Sequence, residues 1–237
     1  MGRVFEKRKH KMFARFAKMA KTFTRIGKEI AIAAKRGGGD PDSNPQLRSI
    51  IQNAKAVNMP KANIDAAIQR ATNKDMKDYE EMVYEGYGPH GVAIVIETAT
   101  DNTTRTVANI RHCFSKGDGA LGKSGSLDFM FDRKGVFEIE LGNRNLEELE
   151  FELIDHGLEE MDQDEDGKVI ITVPFTEFGN MQKALEEKKI TVVSSDKERV
   201  PNTFKEGLTP EQEAEVQKLI DLLEDDDDVQ NVFHNMK

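Results

Sequence analysis

The sequence predicts an α+β protein of three domains: a helical N-terminal domain, then two α/β domains, the last inserted into the middle one. Three observations carry this reading. Apolar residues recur at spacings of three and four as far as Ala71, and beyond that they alternate or gather in short β-rich blocks. The block from 134 to 204 is complete in itself, with the order β-α-β-β-α-β. Charge also changes sign along the chain. Residues 1–77 hold 18 Lys and Arg against 6 Asp and Glu, whereas 78–237 hold 16 against 37, in a chain of net charge −9. Such a split marks a basic module attached to an acidic body.

In the first helix, Phe13, Phe16, Ala20, Phe23, Gly27, Ile30 and Ala34 form one apolar face. Lys7, Lys11, Arg15, Lys18, Lys21, Arg25 and Lys28 keep the same period on the opposite side. "KRGGGDPDSNP" ends this helix, with Gly37 expected in the left-handed position after it. Asn44 then caps a second helix with Pro45 at its first position. Leu47, Ile50, Ile51, Ala54 and Val57 face inward, "NMP" breaks the helix, and Ile64, Ala67, Ile68 and Ala71 mark a third. These helices make a first domain over 1–77.

The strands follow. "MVYEGYG" and "VAIVIETAT" read as a hairpin turned by "PHG". Asp101 is expected to cap a helix running through Phe114, "GDGALGKSG" is a loop, and "SLDFMF" is another strand. "GVFEIEL" alternates, Asn145 starts a helix, and "LEEMD" with "KVIITVP" makes a strand pair around an acidic turn. A helix bearing Phe178, Met181 and Leu185 and the strand "ITVVSSDKERVP" complete a ferredoxin-like unit over 134–204. "TPEQ" is a capping box, and its helix buries Val216, Leu219, Ile220 and Leu223 before the strand "VQNVFHN". These last elements return to the earlier sheet, so the middle domain is 78–133 plus 205–237.

Several chemistries are absent from the pattern. No window approaches the roughly 18 apolar residues of a membrane span. The single Cys113 forms no internal disulfide, and the first residues lack the apolar core of a secretory signal, which together fit a cytoplasmic protein. "GDGALG" matches a dinucleotide-binding spacing, but it follows a helix and precedes a strand, the reverse of what pyrophosphate binding needs. "DQDEDG" imitates half a calcium loop, yet its twelfth position is Val173 instead of a bidentate glutamate. The five histidines have no metal-ligand spacing. The sequence therefore calls for no cofactor, no metal, no small-molecule substrate and no catalytic site. "EDDDD" at Glu224–Asp228 reads as a solvated acidic loop.

The cationic stripe is the most informative feature. An exposed helix is ordinarily supported by interleaved glutamates, and none lies between Lys7 and Lys28. A merely solvated face is the plain alternative. A row of fixed cations fits the phosphates of a nucleic acid better. Membrane-surface binding by the same amphipathic helix is the other class, but its apolar anchors are the residues a three-helix core requires, so no membrane partner is expected.

Long blocks say more than periodicity can. "GGGDPDSNPQLRSIIQNAKAVNMPKANIDAAIQRA", "YEEMVYEGYGPHGVAIVIETATDNTTRTVANIRHCFSK", "LGKSGSLDFMFDRKG" and "LIDLLEDDDDVQNVFHN" resemble the YebC/PmpR family. The resemblance covers about Lys21 to Asn235. It implies a three-domain fold with the third domain inserted in the second, nucleic-acid binding, control of gene expression and no enzymatic activity. Some members are described as DNA-binding transcriptional regulators. Others act on the ribosome and its RNA, helping it through proline runs, and a mitochondrial translational activator belongs to the group. Family members commonly begin with a His- and Trp-containing tip, whereas this chain begins "MGRVFEKRKHKMFARF" and has no tryptophan. A role for that tip is therefore not carried over. Lys21, Arg25, Lys28, Lys35 and Arg36 lie where the resemblance holds, as do Asn102 and Arg105 in "DNTTRT", a polar strand-to-helix junction.

Overall fold

A computed structural model describes residues 3–73, 78–163 and 167–237, apart from the side chains of 3–18. Helix α1 (Arg3–Gly37) runs into α2 (Pro45–Ala56) and α3 (Lys61–Thr72). Asn44 caps α2 by accepting from the Leu47 amide at 3.1 Å, and it also donates to Ala33 and Gly38 carbonyls, closing the α1–α2 turn. The left-handed residue of that turn is Gly38 (φ +90°), one place later than expected, because α1 continues through Gly37. Ile30, Ala33, Leu47, Ala54, Ile64 and Ala67 form the helical core.

Two antiparallel four-stranded sheets follow. The first has the order β3-β1-β2-β8, from β1 (Glu80–Tyr87), β2 (Ala93–Thr100), β3 (Ala120–Leu121) and β8 (Val229–His234). Helices α4 (Thr103–Lys116) and α7 (Pro210–Glu224) cover one face, with Ile94, Ile96, Phe114, Leu219 and Leu223 fully buried between the layers. Thr209 and Gln212 form the expected capping box on α7. On α4 the cap is Asn102, whose side chain accepts from the Arg105 amide at 3.1 Å, and not Asp101.

The second sheet has the order β5-β6-β4-β7, from β4 (Phe131–Glu140), β5 (Glu160–Gln163), β6 (Val169–Pro174) and β7 (Thr191–Pro201). With α5 (Leu146–Ile154) and α6 (Phe178–Glu187) this is the ferredoxin-like arrangement. Phe137, Ile139, Leu149, Leu153, Ile171 and Leu185 fill its core. "SLDFMF" is not a separate strand: Asp128–Met130 form a 3₁₀ turn and Phe131 already opens β4. The join expected at 133–134 thus falls inside a continuous strand, and the β4–β7 ribbon links the two sheets. The acidic turn residues 164–166, and with them the centre of "DQDEDG", lie outside the described residues.

The second face of the first sheet buries Ala93, Val95, Leu127 and Phe131 beneath the loop that follows β3. Glu85, 2% exposed, holds this loop by accepting from the Gly125 amide at 2.8 Å and the Leu127 amide at 2.5 Å. Glu85→Ala leaves the buried Leu127 amide without an acceptor, a loss of about 1–3 kcal/mol. A lower urea midpoint with unchanged slope is the expected result, and an unmoved midpoint would show that the loop is held by Leu127 packing alone.

Candidate nucleic-acid interface

The expected site residues divide into groups with different surroundings. The side chains of Lys7, Lys11, Arg15 and Lys18 lie outside the described residues. Farther along α1 the same stripe meets the acidic loop between α7 and β8. Lys21 pairs with Asp225, and the Arg25 guanidinium donates to the Glu224 carbonyl at 2.9 Å. Lys28, only 8% exposed, donates to the Ala99 carbonyl (2.9 Å), the Asp227 carbonyl (2.7 Å) and Asp228 Oδ1 (2.9 Å). Lys28 is thus not presented outward, since α1 is packed on two sides from here on and Ile30 to Ala34 are buried all round the helix. The contacts of Lys21 and Arg25, by contrast, are exposed.

The acidic loop is accordingly not solvated at its end. Asp228 is 4% exposed, and its Oδ2 accepts from Thr100 Oγ1 (3.0 Å), Thr106 Oγ1 (2.9 Å) and Arg105 Nη2 (2.7 Å). Burial alone would raise the pKa of this carboxyl. The hydrogen bonds from Arg105, Lys28 and Thr106 outweigh burial and hold it at about 2. Arg105 also reaches Asp101 Oδ1 at 2.9 Å, and Asn109 donates to Asp226 at 2.8 Å. The "DNTTRT" junction and the "EDDDD" run are therefore two halves of one polar cluster, with Lys28 as its third side. Asn102 stays exposed, engaged as the helix cap.

Lys35 and Arg36 sit differently. Their pairs with Asp78 (3.1 Å) and Glu81 are exposed on both sides, a geometry contributing about 0–1 kcal/mol and readily exchanged. With Arg70, Asp78 and Tyr79 they line a cleft of about 160 Å³, and the cation over the Tyr79 ring is Lys28, 5.4 Å from its centroid. Arg70 was not singled out by the sequence pattern, since it lies on α3 as an isolated cation.

The helical part is also fastened to the second sheet. Asn53 accepts from the Ser195 amide and donates to the Ser195 carbonyl, each at 2.8 Å. Its side-chain amide thus pairs with edge strand β7 as a neighbouring strand would, which covers part of an otherwise open edge. Arg48 grips Glu186 of α6 with two hydrogen bonds of 3.0–3.1 Å.

Among the described residues no helix is long and apolar enough to cross a membrane, and no group of His, Cys, Asp and Glu is placed to hold a metal ion. Comparison with known proteins gives full coverage. Residues 3–74 match the model of the TACO1/YebC protein N-terminal domain, and residues 79–236 match that of the TACO1/YebC second and third domain. A "Probable transcriptional regulatory protein" of Parabacteroides distasonis is 56% identical over all of this chain and 97% of its own length. One of the same name from Flavobacterium johnsoniae is 54% identical over all of this chain and 99% of its own. The crystal structure of a conserved hypothetical protein from Aquifex aeolicus superposes with a TM-score of 0.79 at 35% identity, covering 93% of this chain and 91% of that one. Two adjoining family models and near-complete alignment to these relatives leave one conclusion: the chain belongs to the TACO1/YebC family.

Proposed function

We propose that this protein regulates gene expression by binding nucleic acid, without catalysing a reaction, and that helix α1 supplies the phosphate contacts. The observation that carries this reading is the run from Lys7 to Lys28, rich in Lys and Arg and free of acids, in a chain that is otherwise strongly acidic. The regulatory names borne by the relatives agree with it. The contact surface we assign is Lys7, Lys11, Arg15 and Lys18 together with Lys35 and Arg36. Lys28 and Arg105 act as anchors that fix α1 and the junction against Asp228. Drawing Lys28 toward a phosphate would take from buried Asp228 one of its two charged partners, leaving Arg105 alone to balance it.

Double-stranded DNA is the first reading of the ligand. Ribosomal RNA, with a role in translation, is the second, and a specific observation favours keeping it: the stripe carries phosphate binders and no Asn or Gln that would read base edges. Backbone-directed binding of this kind suits a structured RNA recognised by shape. Crosslinking in cells followed by sequencing of bound DNA and RNA separates the two. Enrichment of either, lost when Lys11, Arg15 and Lys18 are changed to Gln, supports nucleic-acid binding through α1. Equal recovery of both classes by wild type and variant would overturn it.

A further inference from the structure

A cavity of about 460 Å³ lies where α1, α2 and the two sheets meet. Its polar wall includes Glu29 of α1, Asn53 of α2, Asp196 of β7 and Gln230 of β8. Both sheets are irregular at this point. The β2–β8 register skips Gln230, and the β4–β7 register skips Val193, which also lines the cavity. Such bulges re-aim side chains and gather beside binding sites.

The groups so aimed are not satisfied by the protein. Gln230 is 7% exposed, and neither its amide nitrogen nor its oxygen has a hydrogen-bond partner. Among the described residues, no hydrogen bond or ion pair reaches the Glu29 carboxylate. Burial, then Asp196, then the more distant Glu81 and Glu97 raise its pKa to about 7, while Lys197 opposes them. Asp196, at the exposed rim, accepts from Asn53 at 3.1 Å and from Ser194; desolvation nonetheless raises its pKa as well. Glu138, on the same wall, is paired with Lys168. A buried polar group left unpaired costs about 1–3 kcal/mol, and Gln230 leaves both of its side-chain amide atoms unpaired on one space large enough for a guest.

The chemistry of that guest follows from the wall. Of the other charged groups in the lining, Lys168 is paired with Glu138 and Arg25 donates outward to the Glu224 carbonyl. That leaves the Glu29 and Asp196 carboxylates to face the guest and to disfavour a phosphate or carboxylate there. No trio of ligands is placed for a metal among the described residues. A primary ammonium offers three N–H donors for Glu29, Asp196 and the Gln230 oxygen. A hydroxyl on the same molecule accepts from the Gln230 nitrogen. We propose that this cavity is a binding site for a small amino-alcohol-type ammonium compound, seated between Glu29, Asp196 and Gln230. The site is separate from the nucleic-acid surface and does not depend on that assignment.

Ethanolamine is the probe, titrated calorimetrically into the full chain at pH 7 in two buffers of different ionisation heat. Saturable binding at one site per chain is expected, with net proton release, because the raised pKa leaves Glu29 partly protonated and it must ionise to hold the cation. Glu29→Gln removes a buried charge and so should fold; it is expected to abolish both binding and proton release. Gln230→Leu should weaken binding several-fold and keep the proton release. Tetramethylammonium, which has the charge and no N–H, should not bind. Absence of saturable binding, equal affinity in Glu29→Gln, or equal binding of tetramethylammonium would each overturn the assignment.

Discussion

Replacing Asp228 by alanine is expected to destabilise the protein by about 3–5 kcal/mol, since it leaves the Lys28 ammonium buried with no counter-ion. The loss extends past one pair, because Thr100, Thr106 and Arg105 donate to the same carboxylate. Lys28→Met combined with Asp228→Leu should recover part of the loss by removing both charges together. The pH dependence has a definite sign. The folded pKa of about 2 lies below the roughly 3.9 of an unfolded aspartate, so the stabilisation is full above about pH 4 and is lost as pH falls through about 2. That shift corresponds to about 2–3 kcal/mol. Urea unfolding of wild type and Asp228→Ala at pH 7 checks the first figure. Equal midpoints would mean that Lys28 is held by the two carbonyls alone.

Binding to duplex DNA should weaken about 10³-fold between 50 and 200 mM salt if six cations, Lys7, Lys11, Arg15, Lys18, Lys35 and Arg36, each contribute about 0.9 to the slope of log K against log salt. If Lys21, Arg25, Lys28 and Arg105 also left the acidic loop for phosphates, the slope would approach about 9 and the loss about 10⁵. The slope therefore reports whether the acidic loop keeps its cations in the complex. Changing Lys11, Arg15 and Lys18 to Gln should lower it by about 2.7 and leave folding intact, as Gln keeps helix propensity. A folded triple variant with the wild-type slope would place the phosphates elsewhere.

The elements were legible in the sequence wherever a local rule governs them. Asn44 before Pro45, Asn145 before Leu146 and the Thr209 capping box all stand where their side chains predict. The β-α-β-β-α-β order also emerged from alternation alone. What escaped was long-range. Asp228 looks like the end of a hydrated acidic run, and only the fold brings it beneath Lys28, 200 positions away in the chain. Asn53 reads as a polar helix position, because the β7 edge it covers is 142 residues distant. Glu29 follows Lys28 and falls on the charged side of α1, so its partial burial depends on β7 and β8, which line the same cavity. The cap on α4 was misplaced by one residue because "DN" offers two capping side chains and Arg105 claims Asp101.

The Lys28–Asp228 contact also has a consequence for how the chain is made. Synthesis proceeds from the N-terminus at roughly 5–20 residues per second, so the 200 residues that separate the partners take roughly 10–40 s to appear. Throughout that interval α1 exists without the loop that later receives Lys21, Arg25 and Lys28, and its whole cationic side is open to any polyanion near the exit of the synthesising machinery. A nascent chain halted before α7 is therefore expected to hold a polyanion more tightly than the finished protein, in which the loop after α7 has taken up Lys21, Arg25 and Lys28.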